Sequence, residues 1–415
     1  MSKSKTLLLG LQHAVTMFAS VILVPKLLGL DISVAIIMAG IETLIFHLIT
    51  KNKIPIFLGS SFEFMPALLA ASSVYGMDYA RGGMVICCFV YMAFAVLVYF
   101  IGTEKVISLF PPIISGSISI LVGLSLASYA IELASSCWPL AVLAFVIAGV
   151  INVFGNRQLR SFSIMISLIV SYCFALMLTK FQLLDVVTFA DISEAAWFGM
   201  PKFAFPKFSL NAALIILPYT LCGIVDHIGD VVVAGIICKK DFTSEPGVHR
   251  TLLGDGIAAM VSSFLGGPPN ATYSENIGLL ALTKNYDTLP LRIAAIIAII
   301  MGLIPKISAF IGSIPSAIIG GIAIMLFGSI SAMGIRQFSD NNINFDSPSN
   351  VIIVATILIL GLGGAKVSFN LLGQTFMLEG IGLATVVGIL MNIVFKYGKR
   401  VLQIKNRRVN DEQYT

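Results

Sequence analysis

Apolar runs of about 20 residues, the length a helix needs to cross a bilayer, follow one another along this chain with short polar breaks between them. The pattern predicts spans near 6–26, 31–50, 80–101, 106–129, 138–154, 162–180, 210–237, 249–265, 288–309, 313–334, 350–364 and 378–397. Two further runs, near 55–76 and 268–284, are interrupted by proline, glycine and small hydroxyl residues. The expected fold is an all-α membrane protein of about fourteen transmembrane segments, with short extended pieces in broken segments three and ten.

The two breaks share a grammar. In "PPNATYSENIG" (268–278), Pro268 and Pro269 each lack a backbone donor, "NATYS" suits an extended piece, and "ENIGLLAL" starts a helix. "IPIFLGSSFEF" (54–64) repeats the order, with a helix expected from about Met65. Irregular backbone at membrane depth survives only inside protein or along a cavity, so the two pieces are expected to meet at the bundle centre. Each helix start leaves N–H groups available to a ligand. Broken segments at matching positions of two halves point to a transporter's midplane site.

The halves also echo one another directly. "PPIISGSISILVG" (111–123) resembles "SAIIGGIAIMLFG" (316–328) at one constant offset. An odd number of spans precedes the second copy, so the second half would run inverted, giving two inverted repeats of seven segments. The stretch 181–209 would connect them outside the membrane, with Trp197, Phe198, Phe203 and Phe205 in an interfacial belt. The Gly-rich 320–328 reads as a close-packing helix face.

Composition sharpens this reading. The chain is 57% hydrophobic and 11% charged, with mean hydropathy +0.96. Soluble domains carry about 25% charged residues, so a large soluble helical enzyme is excluded. The net charge of +5 comes from clusters at segment ends: 2–5, 51–53, 156–160, 239–241, 249–250 and 405–408. Lys and Arg remain on the cytoplasmic side, so the basic balance reports topology, not a nucleic-acid partner. Both termini are expected in the cytoplasm of an inner-membrane protein. The first run holds Gln12 and His13 and lacks a small-residue cleavage site, so it reads as a retained helix. The six cysteines form no C-x-x-C pair, and no metal or cofactor is expected beyond a coupling proton.

Acids mark the chemistry. A carboxylate within a membrane span costs about 2.5–3.5 kcal/mol on insertion scales, so each is a functional candidate. Glu63 and Glu275 lie in the broken segments. Asp226, His227 and Asp230 lie within "YTLCGIVDHIGDVVVAG" (219–235), where Asp226 and Asp230 share a helix face. Two like charges there repel, which suits one of them to hold a proton during a transport cycle. Glu42, His47 and Asp255 are read as core hydrogen-bonding residues. Carboxylate acceptors beside exposed backbone donors suit a neutral planar molecule with both N–H and C=O edges. Uracil and xanthine both qualify, and the residues by themselves do not separate either from a small anion.

At these residues the chain resembles the nucleobase–ascorbate transporter family. "ENIGLLALTK" (275–284) fits its signature, (Q/E/P)-N-x-G-x-x-x-x-T-(R/K/G), at every fixed position. The likeness extends to "LQH" (11–13), "IPIFLGSSF" (54–62), "VDHIGD" (225–230), "PGVHR" (246–250) and "GAKV" (364–367). Glutamate at the start of the signature is typical of the uracil-carrying branch, whereas purine permeases more often have glutamine. The resemblance implies a core domain of 1–104 and 210–309, and a gate domain of 105–180 and 310–397. Connector 181–209 and cytoplasmic tail 398–415 complete the chain. It also implies a homodimer, and a proton-coupled symporter that imports uracil by alternating access.

Carried over by motif, Glu275, Asp226, Phe62, Ser274, Tyr273 and Glu63 would contact substrate. Asp226, Asp230, Glu275 and His227 would serve proton coupling, and His13 would order the core. Three positions depart from the family pattern: Asp226 replaces a glutamate, Asp230 a histidine, and Glu63 a small residue. Phe327 stands where a gate-side tyrosine is usual. Alternative readings are a purine or xanthine permease, an anion transporter of the related sulfate-transporter fold, and a membrane-embedded enzyme. The last lacks any zinc helix, serine elbow or nucleotide loop.

Overall fold

A computed structural model describes residues 3–103, 105, 111–156, 159–160, 162–184, 186–371 and 374–413. Helices α1 (Lys3–Leu28) and α2 (Ile32–Ile49) form a hairpin. Its turn uses Gly29 at φ 67° and Asp31, which caps α2 by accepting the Val34 N–H at 3.0 Å. Strand β1 (Leu58–Ser60), α3 (Met65–Tyr75) and α4 (Met77–Ile101) follow. Next come α5 (Pro112–Ser125), α6 (Ala127–Ser135), α7 (Trp138–Phe154), α8 (Ser163–Lys180) and the short α9 (Ala190–Glu194). The second half holds α10 (Leu210–Cys238), α11 (Val248–Leu265), β2 (Asn270–Thr272), α12 (Ser274–Thr283), α13 (Leu289–Gly302) and α14 (Pro305–Gly312). It ends with α15 (Ser316–Asp340), α16 (Pro348–Leu362), β3 (Lys366–Leu371), β4 (Gln374–Glu379) and α17 (Gly380–Gln413).

Packing sorts the helices into two groups. α4 lies on α10 and α11, α2 on α11 and α13, and α1 on α13, with β1 and β2 between them. In the other group α15 lies on α5, α6 and α7, α8 on α7, and α16 on α5 and α17. Close approach in the second group depends on glycine. A Cβ on Gly321 would meet the Ala141 carbonyl carbon at 2.8 Å, and one on Gly116 would meet the Gly334 oxygen at 2.9 Å. The glycine-rich stretch is therefore a packing face at Gly320 and Gly321, whereas Gly328 meets nothing within 4 Å. Gly116 lies in the first copy of the echoed segment and Gly334 six residues beyond the second, where α5 and α15 pack on each other.

Among the described residues seven helices are long and apolar enough to cross a membrane, or eight if α13 and α14 make one span. The chain is a multi-pass membrane protein. Three expectations need correction. The span near 288–309 bends by 81° between α13 and α14, because Pro305 lacks a donor and drives Ile304 out of helical conformation. The span near 106–129 lies further along, as one membrane-length stretch from Pro112 through a turn at Leu126 to Ser135, while residues 106–110 lie outside the described part. The chain is not all-α apart from two extended pieces: β3 and β4 form an antiparallel hairpin, with Lys366 paired to Glu379 in register and their side chains in a 2.6 Å ion pair. The tail expected from 398 continues α17 as helix to Gln413.

The connector is strapped down. Arg81, 2% exposed, donates to Asp78 at 2.6 Å and to the Ala204 carbonyl at 2.5 Å. Lys306 stands 4.8 Å above the Trp197 ring. Trp197, Phe198 and Phe205 are exposed, whereas Phe203 packs beside Met38.

Candidate functional site

The site is built around β1 and β2, which pair antiparallel as Leu58↔Thr272, Gly59↔Ala271 and Ser60↔Asn270. Gly266, at φ 101°, ends α11, and the two prolines after it keep the chain extended. Their carbonyls remain useful: Ser61 N–H donates to Pro269 at 2.9 Å, and the Ser262 hydroxyl to Pro268 at 2.6 Å. From the other side, Thr43 accepts the Leu58 N–H at 3.0 Å and His47 Nε2 meets the Ile56 carbonyl at 2.9 Å. Tyr273 donates its backbone N–H to Phe57 at 3.0 Å and its hydroxyl to the Ser60 carbonyl at 3.1 Å. Its ring lies over Gly59. The Tyr273 side chain is therefore committed to holding the strand pair.

Acids from three elements surround this pair. Glu63, just beyond β1, and Asp226, on α10, are neighbouring acids that face one another. One turn along α10, Asp230 accepts a hydrogen bond from the Thr272 hydroxyl. Asn270 donates to Asp255 of α11 at 2.6 Å. Asn270 and Thr272 are two apart in an extended strand, so they share a face. That face ties β2 to an acid on each of two helices. His227 points elsewhere: it is 2% exposed, its Nδ1 is 3.4 Å from Asp255, and its ring meets Phe46 edge-on at 6.1 Å.

The structure thus brings Glu63, Asp226 and Asp230 together and sets His227 with Asp255. The side chains of Ser274 and Glu275 lie outside the described residues; their backbone forms the first turn of α12. Neither α3 nor α12 has a side-chain N-cap, and at α3 the Met65 N–H turns back to the Phe62 carbonyl at 3.2 Å while Pro66 has no donor. Phe62 precedes α3, and its ring meets Phe327 edge-on at 6.3 Å. Its N–H finds no acceptor among the described residues. His13 is 2% exposed and receives the buried Asn276 amide on Nδ1 at 3.3 Å and on its carbonyl at 3.4 Å, which joins α1 to α12. Sequence reading missed the partner roles of Asn270 and Thr272, whereas Asp255, read as a core hydrogen-bonding residue, is one. The signal available was polar residues at alternate positions of "NAT".

Among the described residues no three His, Cys, Asp or Glu side chains converge as a metal site. A cleft of about 630 Å³ separates α12 (Gly278, Leu282) from α7 (Asn152), the segment after it (Arg160), α8 (Ser163) and α15 (Met325, Ser329). Another, of about 790 Å³, lies among Lys53, Lys240, Asp241, Tyr286 and Asp287. Neither is lined by the acids around the strand pair.

Comparison with known proteins places this geometry. The Xan_ur_permease model, described as "Permease family", matches residues 4–369. The uracil permease of Bacillus subtilis (strain 168) is 37% identical over 409 residues, covering 94% of this chain and 92% of its own length. The uracil permease of Escherichia coli (strain K12) is 34% identical over 403 residues, covering 94% and 91%. Among solved structures, the transmembrane domain of the cyanobacterial bicarbonate transporter BicA aligns with TM-score 0.62 at 16% identity, over 93% of this chain and 96% of that one. SLC26A9 aligns with TM-score 0.69 at 10% identity, over 94% of this chain, which spans 64% of that protein's length. At such identities the structural matches speak for the fold alone. The signature around Asn276, the acid-bound strand pair and the match along nearly the whole chain agree: this protein belongs to the xanthine and uracil permease family, the nucleobase:cation symporter-2 group, and is a transporter, not an enzyme.

Proposed function

We propose that this chain imports uracil across the cytoplasmic membrane as a proton-coupled symporter. The observation that carries the coupling is the Glu63–Asp226 pair: two neighbouring acids away from bulk water repel when both are ionised, which favours a shared proton. Such a pair can load a proton with substrate and release both on the far side. Uracil has two N–H and two C=O groups. The N–H groups suit the carboxylates, including Glu275, with the Ser274 backbone beside it. The C=O groups suit the Phe62 N–H and the open start of α12. Tyr273 contributes by shaping the strand, and His13 by anchoring α12.

The same reading takes the molecule as fourteen segments in two inverted repeats of seven, with core 1–104 and 210–309 and gate 105–180 and 310–397. Antiparallel pairing centred on Gly59 and Ala271 supports it, because a twofold axis in the membrane plane would exchange the strands. Basic loops argue for both termini inside. A homodimer is part of this reading.

The test is uptake of labelled uracil in a strain that lacks its own pyrimidine permease, across a nucleobase panel and with an uncoupler. We expect saturable uracil uptake that the uncoupler abolishes. Xanthine as preferred substrate would replace uracil with the purine reading. The fold shared with BicA and SLC26A9 motivates an anion alternative. An acidic site opposes it, and chloride-dependent current would favour it.

A further inference from the structure

Lys26 ends α1, and its ammonium donates to three carbonyl oxygens: Ile311 at 3.1 Å, Gly312 at 2.9 Å and Ile314 at 2.5 Å. An ammonium has three protons, so all are committed. Ile311 and Gly312 close α14, where carbonyls lack helical partners and the helix dipole is negative. Among the described residues no carboxylate pairs with Lys26. Its charge is held by this helix end and the turn after it. Three residues past Ile311 the chain reaches Ile314, and Pro315 then caps α15. Lys26 therefore grips the strand of backbone that carries the chain from one helix group into the other.

Two more hydrogen bonds join the groups at the same end. The Tyr129 hydroxyl of α6 donates to the Leu27 carbonyl at 2.7 Å. The Tyr172 hydroxyl of α8 pairs with the Ser313 hydroxyl at 2.6 Å, and its ring meets Phe310 edge-on at 5.1 Å. At the other end of α8 the groups part. Ser163 lines the cleft of about 630 Å³ with Asn152, Arg160, Gly278 and Ser329. Nine residues of helix separate Ser163 from Tyr172, roughly 13 Å of axis. The molecule is closed at the Lys26 end and open at the Arg160 end.

We propose that Lys26 is the latch of the closed end, a positioning residue whose hold on the link from α14 into α15 stabilises the form open at Arg160. In the alternate form the core turns against the gate: Ile311 and Gly312 stay with α1, because α14 packs on α2 and α13, while the link that runs from Ile314 into α15 is drawn away and the ammonium loses the Ile314 carbonyl. This rests on the two-group transporter reading but not on which substrate is carried. Loss of the latch shifts the population away from the form with an open cleft.

The experiment follows cleft opening without substrate. Ser329→Cys is labelled with a maleimide in detergent-purified full-length protein, with the unsubstituted chain as blank for the native cysteines. We expect Lys26→Met to slow labelling about tenfold relative to Ser329→Cys alone, and Lys26→Arg to slow it less. Tyr129→Phe, which removes one cross-group hydrogen bond and no charge, should slow it by a smaller factor. That variant carries the test should Lys26→Met fail to fold. Unchanged labelling in every variant that stays monodisperse overturns the latch. Since no nucleobase is present, that failure is separate from any failure of uracil uptake.

Discussion

Tyr273 closes over Gly59: three of its side-chain atoms lie 2.6–2.8 Å from where a Cβ on Gly59 would stand. The ring cannot retreat, because its hydroxyl is bound to Ser60 and its backbone to Phe57. Gly59→Ala should therefore force the strands apart, at an overpacking cost of about 1–3 kcal/mol. Tyr273→Phe keeps the ring and loses one hydrogen bond, worth about 1 kcal/mol. Thermal melting in detergent should rank wild type, Tyr273→Phe and Gly59→Ala in falling order. A Gly59→Ala protein that melts with the wild type would contradict the packing described.

Asp255 and Asn270 form the second test. Asp255→Ala leaves the Asn270 amide without its acceptor in a site 2% exposed, a loss of about 1–3 kcal/mol. Asp255→Asn keeps an oxygen in place and should recover most of it. Equal melting of the two variants would show that this hydrogen bond does not hold β2.

The Glu63–Asp226 pair predicts a pH signature. Glu63→Gln retains a donor and an acceptor toward Asp226 but removes the exchangeable proton. Uptake should persist at reduced rate and lose its rise on acidification of the outside. Asp226→Asn should uncouple uptake from the proton gradient. Wild-type pH dependence in both variants would remove the pair from the coupling step.

A loop pair provides a separate pH prediction outside the spans. The Lys53 ammonium, bonded to Glu245, holds that carboxyl below its ordinary value of 4.5. A depressed acid stabilises the folded loop at neutral pH, and that contribution is lost as pH falls below 4.5 through the folded value. Both groups are largely exposed, so the effect is local and screened by salt. Hydrogen exchange across 239–247 should be faster in Lys53→Met than in wild type at neutral pH, with the difference vanishing in acid. A difference that persists in acid would assign the protection to another contact.

Much of this architecture was legible before any coordinates. Run length and the absence of charge located most helices, since a membrane segment must be apolar along its whole length. Proline and glycine located the two strands near 58–60 and 270–272, because those residues forbid a continuous helix. The bend at Pro305 had the same signal, yet the apolar run around it masked the break. The β3–β4 hairpin was missed for a related reason: hydropathy averages over the period-two pattern of "KVSFNL".

The chain by itself determined what each segment could be, because hydropathy, proline geometry and helix periodicity are local properties of neighbouring residues. It put Asp226 and Asp230 on one helix face and left His227 turned away by about 100°. Only the tertiary structure decided what each face meets: Asp255 for His227, Thr272 for Asp230, Glu63 for Asp226, and three carbonyls some 285 residues away for Lys26. Those partners lie on separate elements, so no spacing along the sequence encodes them. They follow from how the two helix groups pack, and packing is a property of the whole chain.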